Sequence, residues 1–156
     1  PVLVVLVWIY FAFPLLAGVN FAPFWAALVA LTLHIAAYSA EVIRAGIESV
    51  RPGQMRAGLA LGMSRAQALR KIILPQATIR MLPAFGSVLT VAIKDTAIAT
   101  VIAVPELMHK AETIAGQSYR PIEVFTAVIV AYFVILFPVT RGVDRLYQRY
   151  AHLGRS

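Results

Sequence analysis

Long stretches of this chain carry almost no charge, and that feature restricts its fold more than any other. From Pro1 to Val50 the only charged residues are Glu41, Arg44 and Glu48. A helix needs about 20 mainly apolar residues to cross a bilayer, so this region alone is long enough for two crossings. Over the whole chain 60% of residues are hydrophobic and 13% are charged, whereas soluble domains carry about a quarter charged residues. The sequence therefore predicts an all-α integral membrane protein.

The apolar runs predict about four transmembrane helices. Turn-forming residues separate the first run from the second, and a basic tail follows the last run. The chain begins at Pro1 with no charged segment before the first run, which argues against a signal peptide. The predicted spans cover about residues 2–17, 22–43, 82–105 and 124–139.

Basic residues are distributed unequally between the segments that join these spans. Residues 44–80 contain seven basic residues and the tail from residue 140 contains four, including Arg155. Residues 106–123 contain two basic residues against three glutamates. Because loops rich in Lys and Arg remain on the cytoplasmic side, we predict that 44–80 and the C-terminus are cytoplasmic and that 106–123 is external.

The segment "GQMRAGLALGMSRAQALRKIILPQA" lies between two predicted spans and reads as two short helices. Ser64 and Gln67 form a capping-box pattern at the start of the second helix, and Pro75 is predicted to end it. Gly62 is predicted to separate the two helices. One interpretation is an amphipathic helix bound to anionic lipid. The spacing of Gly58 and Gly62, which lets another backbone come close, favours a protein partner instead.

The stretch "AYSAEVIRAGIESVRPGQMRAGLALGMSRAQALRKIILPQA" resembles the region around the EAA loop in permease subunits of ABC importers. It is most similar to the branch that imports polar amino acids, of the histidine, glutamine and arginine type. A second stretch, "IKDTAIATVIAVPEL", resembles that family's Leu-Lys-Asp-Thr-Ser-Leu segment, and the resemblance covers about residues 1–150. The matching positions are Ala37, Tyr38, Glu41, Arg44, Pro52, Gly53, Gln54, Ala57, Ala60, Leu61, Gly62, Leu74, Pro75, Gln76, Ala77, Lys94, Asp95, Thr96, Glu106 and Leu107.

The resemblance implies a single transmembrane permease domain over residues 1–156, with a cytoplasmic coupling-helix loop at about 48–77 that docks on an ATPase. Intact family members have five spans, so we expect one span before Pro1. The chain departs from the family at Arg56, where an acidic residue is expected, and at Gly58, where an alanine is expected. The docking residues implied by the resemblance are Gln54, Arg56, Ala57, Gly58, Leu61, Gly62 and Pro75.

The resemblance also implies a function and a set of partners. The chain is expected to be the permease subunit of an ATP-driven importer of polar amino acids in the bacterial inner membrane. Its expected partners are two copies of an ABC ATPase subunit, a second permease copy or homologue, an extracytoplasmic solute-binding protein and membrane lipid. Import of another small solute, and an ATP-independent transporter or channel, remain alternatives.

No pattern in the sequence indicates an enzyme. There is no Walker motif or other glycine-rich phosphate loop, no cysteine, and no constellation of residues that indicates catalysis, a metal site or a cofactor. We therefore expect ATP hydrolysis to belong to a partner subunit. A membrane-anchored nucleic-acid binder is a further interpretation of the basic segment, but residues 44–80 contain no aromatic side chain for base stacking.

Candidate residues for a translocation path are His34, Lys94, Asp95 and Thr96. A charge at the bilayer centre costs roughly 2.5–3.5 kcal/mol on insertion scales, so such residues usually face a cavity or a partner. Lys94 and Asp95 point about 100° apart on a helix, so each is expected to have its own partner, or the helix to break there. Alternatives are a salt-bridge network at a dimer interface, a span that ends at Ile93, and a packing role for His34.

Overall fold

The chain folds into helices joined by short connections. The computed structural model describes residues 1–150, and every element of regular secondary structure in that range is helical, which confirms the all-α prediction. Arg155, part of the predicted basic tail, lies outside the described residues. The helices are α1 (Val2–Ala17), α2 (Pro23–Glu48), α3 (Pro52–Ala60), α4 (Arg65–Ile102), α5 (Leu107–Ser118) and α6 (Pro121–Tyr150).

Three of these helices are long and apolar enough to cross a membrane, namely α2, α4 and α6. The predicted third span is the C-terminal part of α4, which is 38 residues long in total. α1 is apolar but shorter, so the count of four crossings stays a prediction. Large apolar side chains along α6, such as Ile129 and Phe133, are exposed, as a lipid-facing surface requires.

The prediction that Pro75 ends a short helix is wrong, because α4 continues through Pro75 as far as Ile102. A proline inside an α-helix removes one backbone hydrogen bond and crowds the carbonyl four residues earlier. Here a wider π-helical turn, Leu69–Ile73, comes directly before the α-helical segment that begins at Leu74. Such a turn changes the backbone hydrogen-bond pattern, so the helix accommodates the Pro75 ring and continues. The second helix of the basic segment is therefore continuous with the predicted third span.

The described helices belong to two compact units. The first contains Pro1–Ala37 and Leu89–Pro138. Its core joins α1 and α2 to the end of α4, and it is built on α1 around Leu6, which is 2% exposed. α2 contributes only alanines to this core, and small side chains allow helices to approach closely. The buried residues are Leu6, Ile9, Ala26, Ala27, Ala30, Ala99, Ile102 and Val104.

The second unit contains Tyr38–Val88 and the described residues from Val139 onwards. The buried residues of its hydrophobic core cluster come from the connection after α2 and from one face of α4. Met55 of α3 and Ile72 of α4 pack against this core. The basic segment is therefore attached to the ends of two membrane helices by apolar contacts. The buried residues are Val50, Ile73, Ala77 and Met81.

Candidate functional site

The turn between α3 and α4 is made by Gly62. Its φ of +80° lies in the left-handed region, which glycine adopts without steric cost. The amide of Gly62 donates to the carbonyl of Leu59 at 3.0 Å, and the amide of Met63 donates to the carbonyl of Gly58 at 3.1 Å. These bonds satisfy carbonyls at the end of α3. The predicted separation of the two helices at Gly62 is confirmed.

The start of α4 has the capping box predicted from the sequence. The backbone amide of Gln67 donates to Ser64 Oγ at 3.3 Å, and the backbone amide of Ser64 donates to Gln67 Oε1 at 2.9 Å. Each bond satisfies a backbone N–H that the first helical turn leaves without a partner. Gly62 and the Ser64 cap together fix the direction in which the chain leaves α3 and enters α4.

Gly58 lies at a close contact between α3 and α4 within the segment. It is buried, and a Cβ atom built on it would lie 3.0 Å from Ile72 Cδ1 and 3.1 Å from Ala68 Cβ. The close approach that the glycine pair predicted is therefore made by α4 of the same chain. Among the other predicted docking residues, Gln54 is half-buried, whereas the rest are exposed: Arg56, Ala57, Leu61, Gly62 and Pro75.

The segment carries cations without acidic neighbours. No acidic residue occurs between Glu48 and Asp95 in the sequence. Within residues 1–150, the salt bridges involve other basic residues, among them Arg44 with Glu41. The cations of the segment are solvent-exposed, and they are Arg51, Arg56, Arg65, Arg70 and Lys71.

Arg80 has a structural role at the end of α2. Its Nη1 donates to the backbone carbonyl of Ser49 at 2.6 Å. The hydroxyl of Ser49 donates in turn to the carbonyl of Gly46 at 2.7 Å. Such bonds satisfy carbonyls that a helix end leaves without partners. α4 is thereby fixed to the point where α2 leads into the basic segment.

The first unit brings two of the predicted path residues together. His34 Nε2 of α2 lies 3.7 Å from Asp95 Oδ2 of α4, and their side chains are 16% and 20% exposed. The sequence predicted a separate partner for Asp95, and this contact supplies it. Because His34 and Asp95 are far apart in the sequence, no local pattern could have predicted that they pair.

The helix does not end at Ile93. It continues past Lys94 and Asp95, and from Thr96 to Ile102 it tightens into a 3₁₀-helix. Thr96 Oγ1 donates to the carbonyl of Ile93 at 2.7 Å. Lys94, Asp95 and Thr96 therefore lie where the helix changes from α-helical to 3₁₀ geometry. This change alters the angle between successive side chains.

Lys94 is placed differently from Asp95. It is exposed and lines a cavity of about 390 Å³. The rest of the lining is formed mainly by apolar side chains of α6, with Tyr132 as its other polar residue. No acidic side chain of residues 1–150 forms a salt bridge with Lys94.

A further polar cluster was missed by the sequence analysis. Thr100 Oγ1 donates to Glu112 Oε2 at 2.7 Å and lies 3.4 Å from His109 Nδ1. Glu106 caps α5, because its carboxylate accepts from the amides of Met108 at 2.8 Å and His109 at 2.6 Å. An acidic residue directly before a helical pattern is the signal that could have identified this cap.

These features define a multi-pass helical membrane protein with a packed, basic connection between two of its long apolar helices. The chain belongs to the family described as "Binding-protein-dependent transport system inner membrane component", whose model matches residues 1–152. Members of this family are inner-membrane permease components of ABC importers, not enzymes, and the ATPase is a separate subunit.

Individual relatives agree with this assignment. The glutamine transport system permease protein GlnP of Escherichia coli K12 is 38% identical over 150 residues, covering 96% of this chain and 68% of GlnP. The arginine transport system permease protein ArtQ of Bacillus subtilis is 36% identical over 148 residues, covering 93% of this chain and 68% of ArtQ. A solved structure, "Crystal structure of an amino acid ABC transporter with histidines", matches with a TM-score of 0.89 at 38% identity, covering 96% of this chain and 69% of the matched chain.

Proposed function

We propose that this chain forms part of the translocation path for polar amino acids in an ATP-driven importer. The observation that carries the proposal is the likeness to amino-acid transporters along almost the whole chain, with a TM-score of 0.89 to one of known structure. Relatives named for glutamine and for arginine support a substrate with polar side-chain groups. Because these two solutes differ in charge, the proposal is for the class and not for one amino acid.

The segment from about residue 48 to residue 77 is the proposed docking site for the ATPase. Its exposed surface includes Arg56, Ala57, Leu61 and Gly62, and its inner surface rests on the core of the second unit. Since the π-helical turn makes α4 continuous from the segment into the membrane region, a displacement of the segment would move that helix directly. Gln54, Gly58 and Pro75 are proposed to shape the segment.

The proposed path includes His34, Lys94, Asp95 and Thr96. The support is the His34–Asp95 contact at 3.7 Å and the cavity beside Lys94. Ionisable side chains within membrane-spanning helices are costly and rare, and they mark solute or ion pathways. Lys94 would attract a carboxylate group, and Asp95 an ammonium group, of an amino acid.

The assembly proposed around this chain contains two ATPase copies, a second permease copy or homologue, and an extracytoplasmic solute-binding protein. The chain would contact lipid through exposed apolar side chains such as Ile129. The proposed orientation places residues 44–80 and the C-terminus in the cytoplasm, because basic loops remain on that side. In this orientation the docking segment faces the compartment that contains ATP.

The proposal is tested by stimulation of ATP hydrolysis. The permease is co-purified with its ATPase subunit, reconstituted in liposomes and supplied with its solute-binding protein. Hydrolysis is measured with glutamine, arginine, histidine, leucine and a sugar. We expect stimulation by one or more of the polar amino acids. Stimulation by the sugar alone would assign the chain to another solute, and transport without any ATPase would favour the ATP-independent alternative.

A further inference from the structure

The turn between α3 and α4 presents one apolar side chain to the surroundings. Leu61 precedes Gly62, and 79% of its surface is exposed. Leu59, two residues earlier in α3, is 39% exposed. Two nearby residues are turned towards the chain, since Gly58 is buried and Met55 packs against the core. Leu61 is therefore the most exposed large apolar side chain of the segment, ahead of Leu59, Leu69 and Leu74.

Cations surround this leucine. Arg56 lies on the preceding helix and Arg65 starts the following one, and both are exposed. Two other arginines of residues 1–150 form ion pairs with nearby glutamates, Arg44 with Glu41 and Arg120 with Glu123. Among residues 1–150, the cations of the segment have no such partner. Acidic groups that face them would come from outside the described residues.

We propose that the ATPase receives this segment in an apolar pocket that holds Leu61 and is rimmed by carboxylates facing Arg56 and Arg65. This inference rests on the proposed docking function and specifies the chemistry of the partner surface. Charge complementarity argues for it, because five exposed cations would be repelled by a basic cleft and would gain no Coulomb attraction from a neutral one. Burial of Leu61, which is 79% exposed, in a pocket of the partner would remove its apolar surface from water and so contribute to binding.

A bilayer surface is the other anionic partner to consider, and the geometry argues against it. A helix that lies on lipid needs a broad apolar face to insert. In α3 and the start of α4 that face is already buried within the chain, through Gly58, Ala68 and Ile73. The most exposed of the remaining leucines, Leu61, lies at a turn, which fits a pocket better than a membrane plane.

The test measures binding of the co-expressed ATPase to the detergent-solubilised permease at 0.05, 0.15 and 0.5 M NaCl, concentrations over which salt progressively screens exposed charges. We expect the dissociation constant to rise with salt. Arg56→Gln and Arg65→Gln should each weaken binding about threefold at low salt, and Leu61→Ala about tenfold or more at every salt concentration. Arg120→Gln is the control and should bind as the unmodified protein does. Elution volume in size-exclusion chromatography shows whether each variant is folded.

The possible results separate the inference from the docking proposal. A complex that forms but ignores salt and both arginine variants would overturn the inference and leave docking intact. The absence of a complex at every salt concentration would overturn both. The arginine variants could instead lose binding to vesicles containing 30% phosphatidylserine while their binding to the ATPase is unchanged. That result would assign the cations to lipid and would also overturn the inference.

Discussion

Asp95 lies beside His34 within the apolar part of the chain, with Oδ2 3.7 Å from Nε2. The two residues belong to α4 and α2, so the contact joins two of the long apolar helices. Their side chains are mostly buried, at 20% and 16% exposed. A polar contact in such surroundings is screened less by solvent than an exposed one, so it is expected to influence both stability and transport.

We expect His34→Ala and Asp95→Asn to be energetically coupled. Residues in direct contact show interaction energies of about 0.5–3 kcal/mol in double-mutant cycles. The measurement is the free energy of unfolding in mixed detergent micelles for the two single variants and the double variant. A cycle between His109→Ala and Asp95→Asn is the control, because His109 contacts Thr100 instead. Additive effects for the His34 pair would show that the contact carries no energy.

Gly62→Ala should be destabilising, whereas Gly53→Ala should be tolerated. A Cβ in the left-handed region costs about 1–2 kcal/mol, and Gly62 has a φ of +80°. Gly53, near the start of α3, has open space around it and is not among the positive-φ glycines of residues 1–150, so alanine there favours the helix. The measurements are thermal unfolding and ATP hydrolysed per solute transported. Equal behaviour of the two variants would contradict the assigned turn.

Gly86→Ala should destabilise the second unit through a steric clash. A Cβ built on Gly86 would lie 2.5 Å from Val143 Cγ1 and 3.1 Å from Val143 Cβ, and valine is rigid at χ1. Overpacking of this kind costs about 1–3 kcal/mol. Gly142→Ala is the matched control, since no atom lies within 4 Å of its Cβ position. A melting temperature for Gly86→Ala equal to that of Gly142→Ala would show that α4 and α6 are less closely packed.

The orientation is testable with reporter fusions. A fusion after Arg65 or after Arg149 should behave as cytoplasmic, and one near Gly116 as external, because basic loops remain inside. Alkaline phosphatase and a fluorescent protein give opposite signals on the two sides. A cytoplasmic signal at Gly116 would mean that the count of spans is wrong.

Local signals in the sequence predicted several parts of this structure. Apolar length predicted α2 and α6, and the Ser64–Gln67 pattern predicted the cap that begins α4. Glycine predicted the turn at Gly62. Each of these depends on residues within one or two helical turns, which is the range over which helix propensity and capping act.

Features that depend on packing were not predicted. Pro75 reads as a helix end, and the π-helical turn that accommodates it was not foreseen, because nothing in the local pattern specifies it. The glycine pair indicated a close approach of another segment but not which segment approaches. In the structure, side chains of α4 pack against Gly58. The His34–Asp95 contact required knowledge of how α2 and α4 pack, which the pattern of either helix alone does not contain.

ATP-dependent uptake by proteoliposomes tests the central claim most directly. The full-length permease is reconstituted with its ATPase inside the vesicles and with the solute-binding protein outside, and isotope-labelled polar amino acids are supplied externally. Accumulation against the gradient is predicted with ATP, and none with a non-hydrolysable ATP analogue. Gly53→Ala should accumulate solute as the unmodified protein does, while Gly62→Ala should hydrolyse ATP with reduced uptake. Equal uptake with and without hydrolysable ATP would contradict the account, because solute would then cross without the ATPase driving it.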